Sequence, residues 1–293
     1  MSECHKISVI IPHKNNADLL EQTLQSVFLQ QCLPYEIIVV DDASSSEHKE
    51  RIKKFSTKHR WNFKLLELKQ TQGPSGARNR GIEMAKGDFI ALLDADDLWS
   101  QNHLAFFVRA LEKKPGIQFY SSKTLRGIKQ QKSSRAQSFS LRKVQYFELA
   151  LQDPLVVNSS SVILARSVFF DACKFNEQVK ASEDMDMWIC LGRKFPLYFQ
   201  EAPTVFYNTS AEKSLSKNLN EYKNPMVMEM MKKWWKNAES EMEKKFVQLN
   251  YFGYWTRFVK AQKKPPSEIH RIIKPEYLNL RNRWIYWMLK NFF

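Results

Sequence analysis

The chain has few cysteines and no long apolar run, and each shortage excludes a class of protein. Its 293 residues include only 4 cysteines, which show no metal-ligand spacing and no disulfide framework. The aromatic stretch 281–293 is far shorter than the roughly 20 apolar residues that a spanning helix needs. No signal peptide precedes the first apolar run. We therefore expect a cytoplasmic protein that does not cross a bilayer.

The composition favours one large α/β core with a helical extension. Hydrophobic residues make up 43% of the 293-residue chain, which is unlike a disordered or repetitive protein. The formal net charge is +14. Much of the charge lies in residues 222–293, which hold 15 lysines and arginines against 6 glutamates, and five of the eight tryptophans.

Three apolar runs predict buried parallel strands that end in polar residues. They lie at 7–11, 36–40 and 89–93, and the apolar spacing from Asp18 to Phe28 predicts a helix between the first two. A third strand is predicted at 63–68. A glycine-containing loop then leads to a helix over 77–86, which Gly87 closes as a left-handed cap.

Three carboxylates follow the run at 89–93. Asp94, Asp96 and Asp97 should lie at the carboxyl end of a buried strand, which is where ligands bind in open α/β sheets. Such clustered carboxylates suit Mg²⁺ or Mn²⁺ and a phosphate-bearing substrate. The alternative is an acidic turn that caps the next helix.

Five motifs in a fixed order resemble glycosyltransferase family 2. They are ISVIIP at 7–12, VVDDAS at 39–44, GPSGARNRG at 73–81, GDFIALLDADD at 87–97 and SEDMDMW at 182–188. The resemblance implies a GT-A fold with a mostly parallel, Rossmann-like central sheet flanked by helices. It also implies a catalytic domain over 1–220, with a nucleotide-binding half at 1–100, an acceptor half at 101–220 and a basic helical tail at 221–293.

The resemblance implies a role for each acidic motif. Asp42 would accept a hydrogen bond from the nucleobase while Asp41 orients that loop, although this pair could instead cap the following helix. Asp96 would hold the donor ribose, Asp97 would bind the metal, and Asp94 would support them. The literal DxD pair is Asp94 and Asp96, so the assignment within the motif stays open and both Asp96 and Asp97 are candidate metal ligands.

Other candidates on the donor side are Pro12, Gly76 and Arg78. The arginine opens a helix after the glycine loop, where it and the backbone amides could meet a diphosphate, or it could lie on a solvated face.

Glu183 and Asp184 match the pair that carries the general base in the family. The resemblance implies that Asp184 takes the proton of the attacking hydroxyl in an inverting transfer. The expected partners are a nucleotide-sugar donor, with a UDP-sugar favoured, and a glycan or lipid-linked glycan acceptor in cell-surface polysaccharide or lipopolysaccharide biosynthesis. Mn²⁺ or Mg²⁺ is the expected cofactor. Trp188, in the helix that follows, is expected to be a core residue.

The chain departs from the family pattern at three places. His13-Lys14-Asn15 replaces a tyrosine-containing segment, Cys173-Lys174-Phe175 replaces Gly-Gly-Phe, and no histidine follows the last core strand to complete a metal shell. Donor and acceptor contacts are therefore expected to differ from those of relatives.

Two basic segments suggest further contacts. Residues 281–293 could form an interfacial helix on anionic lipid, which would make the protein peripheral at the inner face of the cytoplasmic membrane. Their aromatics could instead pack on the catalytic domain or on a second subunit. Residues 121–145 hold seven lysines and arginines and no acid, as an acceptor loop or a solvated loop would.

Three other functions are weighed against a transferase. A nucleic-acid-binding or anionic-polymer-binding role is permitted by the charge, but no binding motif is present, so no nucleic-acid partner is expected. A nucleotidyltransferase should have a glycine-rich loop near the N-terminus, and no glycine follows Ile11 until Gly73. A noncatalytic relative is disfavoured by the intact Glu183-Asp184 pair.

Overall fold

The computed structural model describes residues 5–59, 62–127, 138–179, 182–209, 225–262 and 275–278. Its first half alternates strands and helices: β1 (Ile7–His13), α1 (Ala17–Phe28), β2 (Glu36–Asp41), α2 (Ser46–His59), β3 (Lys64–Glu67), α3 (Gly73–Met84) and β4 (Phe89–Leu92). The second half contains β5 (Leu98–Trp99), α4 (His103–Lys113), β6 (Phe119–Arg126), β7 (Leu141–Val144), α5 (Tyr146–Gln152), β8 (Val162–Ala165), α6 (Arg166–Asp171), α7 (Glu183–Lys194) and β9 (Leu197–Tyr207). Helices α8 (Pro225–Lys236) and α9 (Glu241–Gln262) follow.

The sheet is parallel in one half and mixed in the other. In the described residues its order is β3-β2-β1-β4-β8-β6-β9-β5, with β7 also paired to β9. The contacts of β1 with β2 and β4, and of β2 with β3, are parallel, as predicted. Beyond β4 the prediction of a mostly parallel sheet needs refinement, because β8 runs antiparallel to both β4 and β6. The α/β fold class itself is confirmed.

Helices cover both faces of this sheet. Val9, Ile11 and Val39 point to the side of α1, α2 and α4, whereas Ile10, Ile38 and Val40 point to the side of α3 and α7. This follows from the two-residue period of a strand, which sends neighbouring side chains to opposite faces. Strands that are apolar on both faces therefore form the middle of a three-layer structure.

Helix α3 begins at Gly73, four residues before the predicted start, and ends at Met84. Most of the glycine loop is therefore its first turn. Gly87 is not a left-handed cap, because Ala85 ends the helix in an extended conformation. A Cβ at Gly87 would lie 2.7 Å from the Lys6 carbonyl oxygen and 2.6 Å from Ser8 Oγ, so close backbone approach explains the glycine.

Two other expectations are corrected by tertiary packing. Cys173, just after α6, and Cys190, in α7, form a disulfide, which corrects the expectation that the cysteines show no disulfide framework. Packing of α7 against the segment after α6 brings together two cysteines that lie 17 residues apart. The basic segment 121–145 is also not a single loop, since β6 and β7 flank its residues 128–137, which lie outside the described ranges.

The described part of the tail packs onto the α/β core. Buried apolar side chains of α8 and α9 join the same cluster as Phe119 of β6 and Trp188 of α7; they are Val227, Met230, Met231, Phe246, Val247, Tyr251, Phe252 and Tyr254. The segment 281–293, for which membrane contact was predicted, lies outside the described residues. No helix in the described part of the chain is long and apolar enough to span a membrane.

We predict that Gly81→Ala lowers the free energy of unfolding by about 1–3 kcal/mol through overpacking. An added Cβ would lie 2.5 Å from Ile10 Cγ2 and 3.0 Å from Val40 Cγ2, where α3 packs on the sheet. Gly253→Ala in α9 is the matched control, because no atom lies within 4 Å of its added Cβ. That variant should gain up to about 1 kcal/mol from helix propensity. Urea unfolding measures the free energy of unfolding of both variants. Equal changes in the two would contradict the close packing of Gly81 on the sheet.

Candidate active site

The predicted site residues gather at one edge of the sheet. Strands β1, β2 and β4 run parallel and end at His13, Asp41 and Leu92. Their carboxyl ends therefore meet, as at the ligand-binding edge of open α/β sheets. Pro12 lies within β1, opposite Val40 in register, and the following loops present the two aspartate motifs.

Asp42 binds the start of α3. Its carboxylate accepts hydrogen bonds from the Gln72 amide (2.6 Å), the Gly73 amide (3.1 Å) and Thr71 Oγ1 (2.7 Å). This carboxylate therefore caps α3, which follows β3, and not the helix next to it in sequence. The positive end of the α3 dipole is therefore partly met by the protein's own carboxylate.

Asp41 and His13 form a buried polar pair beneath this loop. They are opposite each other in register on β2 and β1, and both are at most 2% exposed. The Ser44 amide donates to Asp41 at 3.2 Å, as expected for a residue that orients the loop. Burial lowers the pKa of His13 to about 4, against the opposing effect of Asp41, so His13 is neutral at physiological pH.

Arg78 joins the two halves of the site. Its side chain, 5% exposed, donates to Asp94 Oδ1 at 2.7 Å and to Glu183 Oε1 at 3.1 Å. The guanidinium also lies 5.3 Å from the ring centroid of Phe175. Burial opposes its charge, but Asp94 and Glu183 outweigh burial and raise the pKa of Arg78 above its ordinary value. The arginine is therefore an internal link between the loop after β4 and α7, and its side chain is not on a solvated face.

Gly76 and Arg80 have local roles within α3. A Cβ at Gly76 would lie 2.4 Å from the Gln72 side chain, so the glycine makes room for the turn before it. Arg80 is exposed and pairs with Glu83 at 2.8 Å. No phosphate contact is needed to explain either position.

The three aspartates after β4 lie close enough for their negative charges to repel one another. Burial and then the charge of Asp94 raise the pKa of Asp96 to about 6. Burial, Asp94 and Asp96 raise the pKa of Asp97 well above its ordinary value. Asp97 is 1% exposed and accepts hydrogen bonds from Ser160 Oγ (2.5 Å) and the Asn208 amide (3.0 Å).

Ser160 is a site residue that sequence reasoning missed. Besides its bond to Asp97, its hydroxyl accepts the Asp94 amide at 3.0 Å. It lies in a short 3₁₀ turn, Ser159–Ser161, before β8. The only sequence signal is a run of three serines before an apolar strand, which is too common to indicate a function.

A divalent ion fits this acidic group in one arrangement. Within the described ranges, no three His, Cys, Asp or Glu side chains are grouped to hold an ion by themselves. Mg²⁺ is often held by one or two carboxylates while substrate phosphates and water complete its shell. Asp96 and Asp97 suit that arrangement, because a bound cation would favour the charged form that burial and then the neighbouring carboxylates oppose in both groups. Asn208, just after β9, contacts Asp97 through its backbone amide.

Asp184 has the electrostatics of a base that works near neutral pH. It lies in the first turn of α7 and accepts a hydrogen bond from the Met185 amide at 2.8 Å. Burial and the charge of Glu183 raise its pKa to about 7, although Arg78 acts to lower it. The neighbouring Trp188 is buried at 2% exposure, which confirms that it is a core residue.

The fold and the acidic edge together define an α/β protein in which the parallel half of the sheet meets the mixed half beside a carboxylate cluster. The sequence model of glycosyl transferase family 2 matches residues 8–170, more than half of the chain. The chain belongs to glycosyl transferase family 2.

Curated relatives share parts of this sequence. An uncharacterized glycosyltransferase of Rickettsia bellii is 29% identical over 194 residues, which cover 64% of this chain and 26% of that protein. The Escherichia coli UDP-Glc:alpha-D-GlcNAc-diphosphoundecaprenol beta-1,3-glucosyltransferase WfgD is 34% identical over 107 residues, 36% of this chain and 41% of that one. The match therefore spans less than half the length of each of these relatives.

Solved structures confirm the GT-A fold. Staphylococcus aureus TarS 1–349 in complex with UDP-GlcNAc has a TM-score of 0.65 at 16% identity, covering 92% of this chain and 84% of that one. The mannosyltransferase PcManGT from Pyrobaculum calidifontis, in complex with GDP-Man and Mn²⁺, has a TM-score of 0.62 at 15% identity and covers 99% of this chain and 85% of that one.

We predict that Arg78→Met lowers the free energy of unfolding by about 3–5 kcal/mol, because it leaves two carboxylates without their buried partner. Arg80→Met, two residues along the same helix, removes an exposed pair and should cost less than about 1 kcal/mol. Denaturant unfolding at neutral pH compares them. Similar small losses in both variants would mean that the Arg78 pairs do not hold the site together.

Proposed function

We propose that the protein is an inverting, metal-dependent glycosyltransferase. It moves a sugar from a nucleotide-sugar donor to a hydroxyl of a glycan or lipid-linked acceptor, in cell-surface polysaccharide or lipopolysaccharide biosynthesis. One observation carries the proposal: Arg78 joins Asp94, on the donor side, to Glu183, next to the candidate base Asp184. Family membership supports the same activity.

The transfer is a single displacement at the anomeric carbon. Asp184 takes the proton of the acceptor hydroxyl while that oxygen forms the new bond to the anomeric carbon. The bond between the anomeric carbon and the diphosphate breaks on the opposite face, and its electron pair leaves with the nucleoside diphosphate. Asp96 and Asp97 would hold Mn²⁺ or Mg²⁺, which supplies charge neutralisation for the diphosphate when bound.

The donor lies along the edge formed by β1, β2 and β4. Asp42 contacts the nucleobase, and it can do so while capping α3 because a carboxylate has about four acceptor sites and three are in use. Asp41 orients the loop after β2, and Asp96 also contacts the ribose. Pro12 and Gly76 line the bottom of the donor site. Arg78 acts on the donor through Asp94. A UDP-sugar is favoured, since TarS is described with UDP-GlcNAc and WfgD is named for UDP-Glc.

The acceptor is proposed to be lipid-linked. Two relatives are named for acceptors on diphosphoundecaprenol or PP-undecaprenol, and such a substrate lies in a membrane. The basic, aromatic segment 281–293 would bring the active site to it from the cytoplasmic face.

We predict that the correct donor raises the melting temperature only in the presence of Mn²⁺. A ligand that binds only the folded state stabilises it by RT ln(1 + L/Kd), where L is the concentration of free ligand. UDP-, GDP- and dTDP-sugars are compared by thermal shift with Mn²⁺ or EDTA, on the wild type and Asp96→Asn. Arg80→Met controls for an unrelated charge change. A shift that persists in EDTA would contradict metal dependence, and no shift with any nucleotide would contradict the proposed donor site.

We predict that Asp184→Asn lowers kcat about 10²–10⁴-fold, the usual contribution of a general base. The base must be deprotonated, so wild-type kcat/KM should fall as the pH drops below about 7, the pKa of Asp184. The measurement is a pH profile of sugar transfer. Asp184→Asn should still bind the donor, which a thermal-shift measurement checks. A rate that stays flat from pH 8 to 5 would contradict the assignment.

We predict that the protein floats with anionic vesicles and that deletion of residues 281–293 reduces this binding. Raising the salt concentration should weaken it, because basic side chains near a charged surface are screened. Vesicles of neutral lipid are the control. Equal flotation of the full chain and the shortened chain would contradict the membrane role of this segment.

A further inference from the structure

The first tail helix holds the helix that carries the candidate base. Trp234 of α8 is half-buried, and its indole N–H donates to the Asp186 carboxylate of α7. Asp186 lies two residues beyond Asp184, in the same first turn of the helix. A contact made by the tail therefore ends within one helical turn of the proposed base.

The same tryptophan also holds the other end of α7. Arg193, in the last turn, has its guanidinium 4.2 Å from the Trp234 ring centroid. Its Nη2 donates to the carbonyl oxygens of Trp234 (3.2 Å) and Asn237 (2.7 Å), and its Nε donates to Glu243 at 2.5 Å. Glu243 is 1% exposed, so this pair is buried and fixed.

These two anchors lie on one face of α7. Asp186 and Arg193 are seven residues apart, which is close to two helical turns. One residue of α8 therefore touches the beginning and the end of the same helix face. Such a contact restrains both rotation of α7 about its axis and sliding along it, and either movement would displace Asp184.

The chemistry of Asp186 makes this bond matter. Burial raises the pKa of Asp186, while the Trp234 hydrogen bond and the charge of Lys233 lower it. Removing the indole N–H would leave a largely buried carboxylate without its donor, which costs more than the bond itself contributes. The first turn of α7 would then relax to give Asp186 access to water.

We propose that Trp234 is a positioning residue for catalysis. By binding Asp186 and Arg193, it prevents α7 from rotating about its axis or sliding along it, and so holds Asp184 against the acceptor hydroxyl. This inference rests on the proposed function, in which Asp184 is the base. It gives the helical tail a role in the reaction that is separate from membrane contact.

The test compares Trp234→Phe with Trp235→Phe. The first removes the indole N–H together with the five-membered ring and keeps a phenyl ring, and the second makes the same change at the neighbouring tryptophan, whose ring also packs against the core. Trp234→Phe should lower kcat about tenfold with the donor KM unchanged, since small misplacements of a catalytic group are costly. Trp235→Phe should stay within twofold of the wild type.

A double-mutant cycle separates positioning from general destabilisation. Asp186→Ala should lower kcat by the same factor as Trp234→Phe. The double variant should lower kcat no further, because both substitutions break the same hydrogen bond between Trp234 and Asp186. Asp186→Asn, which keeps an oxygen acceptor for the indole, should lose less than Asp186→Ala. The proposal would be overturned if the fall in kcat of the double variant equalled the product of the two single falls. It would also be overturned if Trp234→Phe and Trp235→Phe had the same kcat.

Hydrogen exchange distinguishes failure of this inference from failure of the proposed function. If the wild type transfers no sugar to any acceptor, the proposed function fails, and the restraint on α7 is then judged without activity. The amides of residues 183–188 should exchange faster in Trp234→Phe than in Trp235→Phe, while β1 and β4 stay unchanged. Equal exchange at 183–188 in the two variants would overturn the restraint.

Discussion

The site depends on one buried guanidinium. Arg78 places a positive charge between Asp94 and Glu183, carboxylates that come from opposite halves of the fold. Removing one partner of a buried ion pair leaves an uncompensated charge, so the three side chains are held together more strictly than apolar packing alone would require. The remaining carboxylates, Asp96, Asp97 and Asp184, take their raised pKa values from burial beside this group.

Helix α7 converts this arrangement into a candidate catalytic geometry. At its beginning Glu183 binds Arg78, along its length Cys190 is bonded to Cys173, and at its end Arg193 binds Glu243 and the carbonyls of Trp234 and Asn237. These contacts come from three distant parts of the chain. Because each of them restrains a different point of the helix, together they hold Asp184 in its place beside Glu183.

The sequence predicts local structure and the acidic edge well, for a physical reason. Strands β1, β2 and β4 are apolar on both faces, and parallel strands must end at one edge, so the aspartate motifs had to converge. The features of the site that could not be predicted are contacts between residues that lie far apart in the sequence. Asp42 caps α3 across 30 residues, Ser160 reaches Asp97 across 63, and the tail reaches α7 across about 50. No periodicity or cap preference carries such information.

We propose that burial and the charge of Glu183 prepare Asp184 to act as a base near neutral pH. The most direct measurement is a ¹³C NMR titration of the Asp184 side-chain carboxyl, assigned with Asp184→Asn, in the wild type and in Glu183→Gln. We expect a wild-type pKa of about 7 and a lower value in Glu183→Gln, where a neighbouring negative charge is gone. An ordinary carboxyl pKa near 4 that Glu183→Gln leaves unchanged would contradict it.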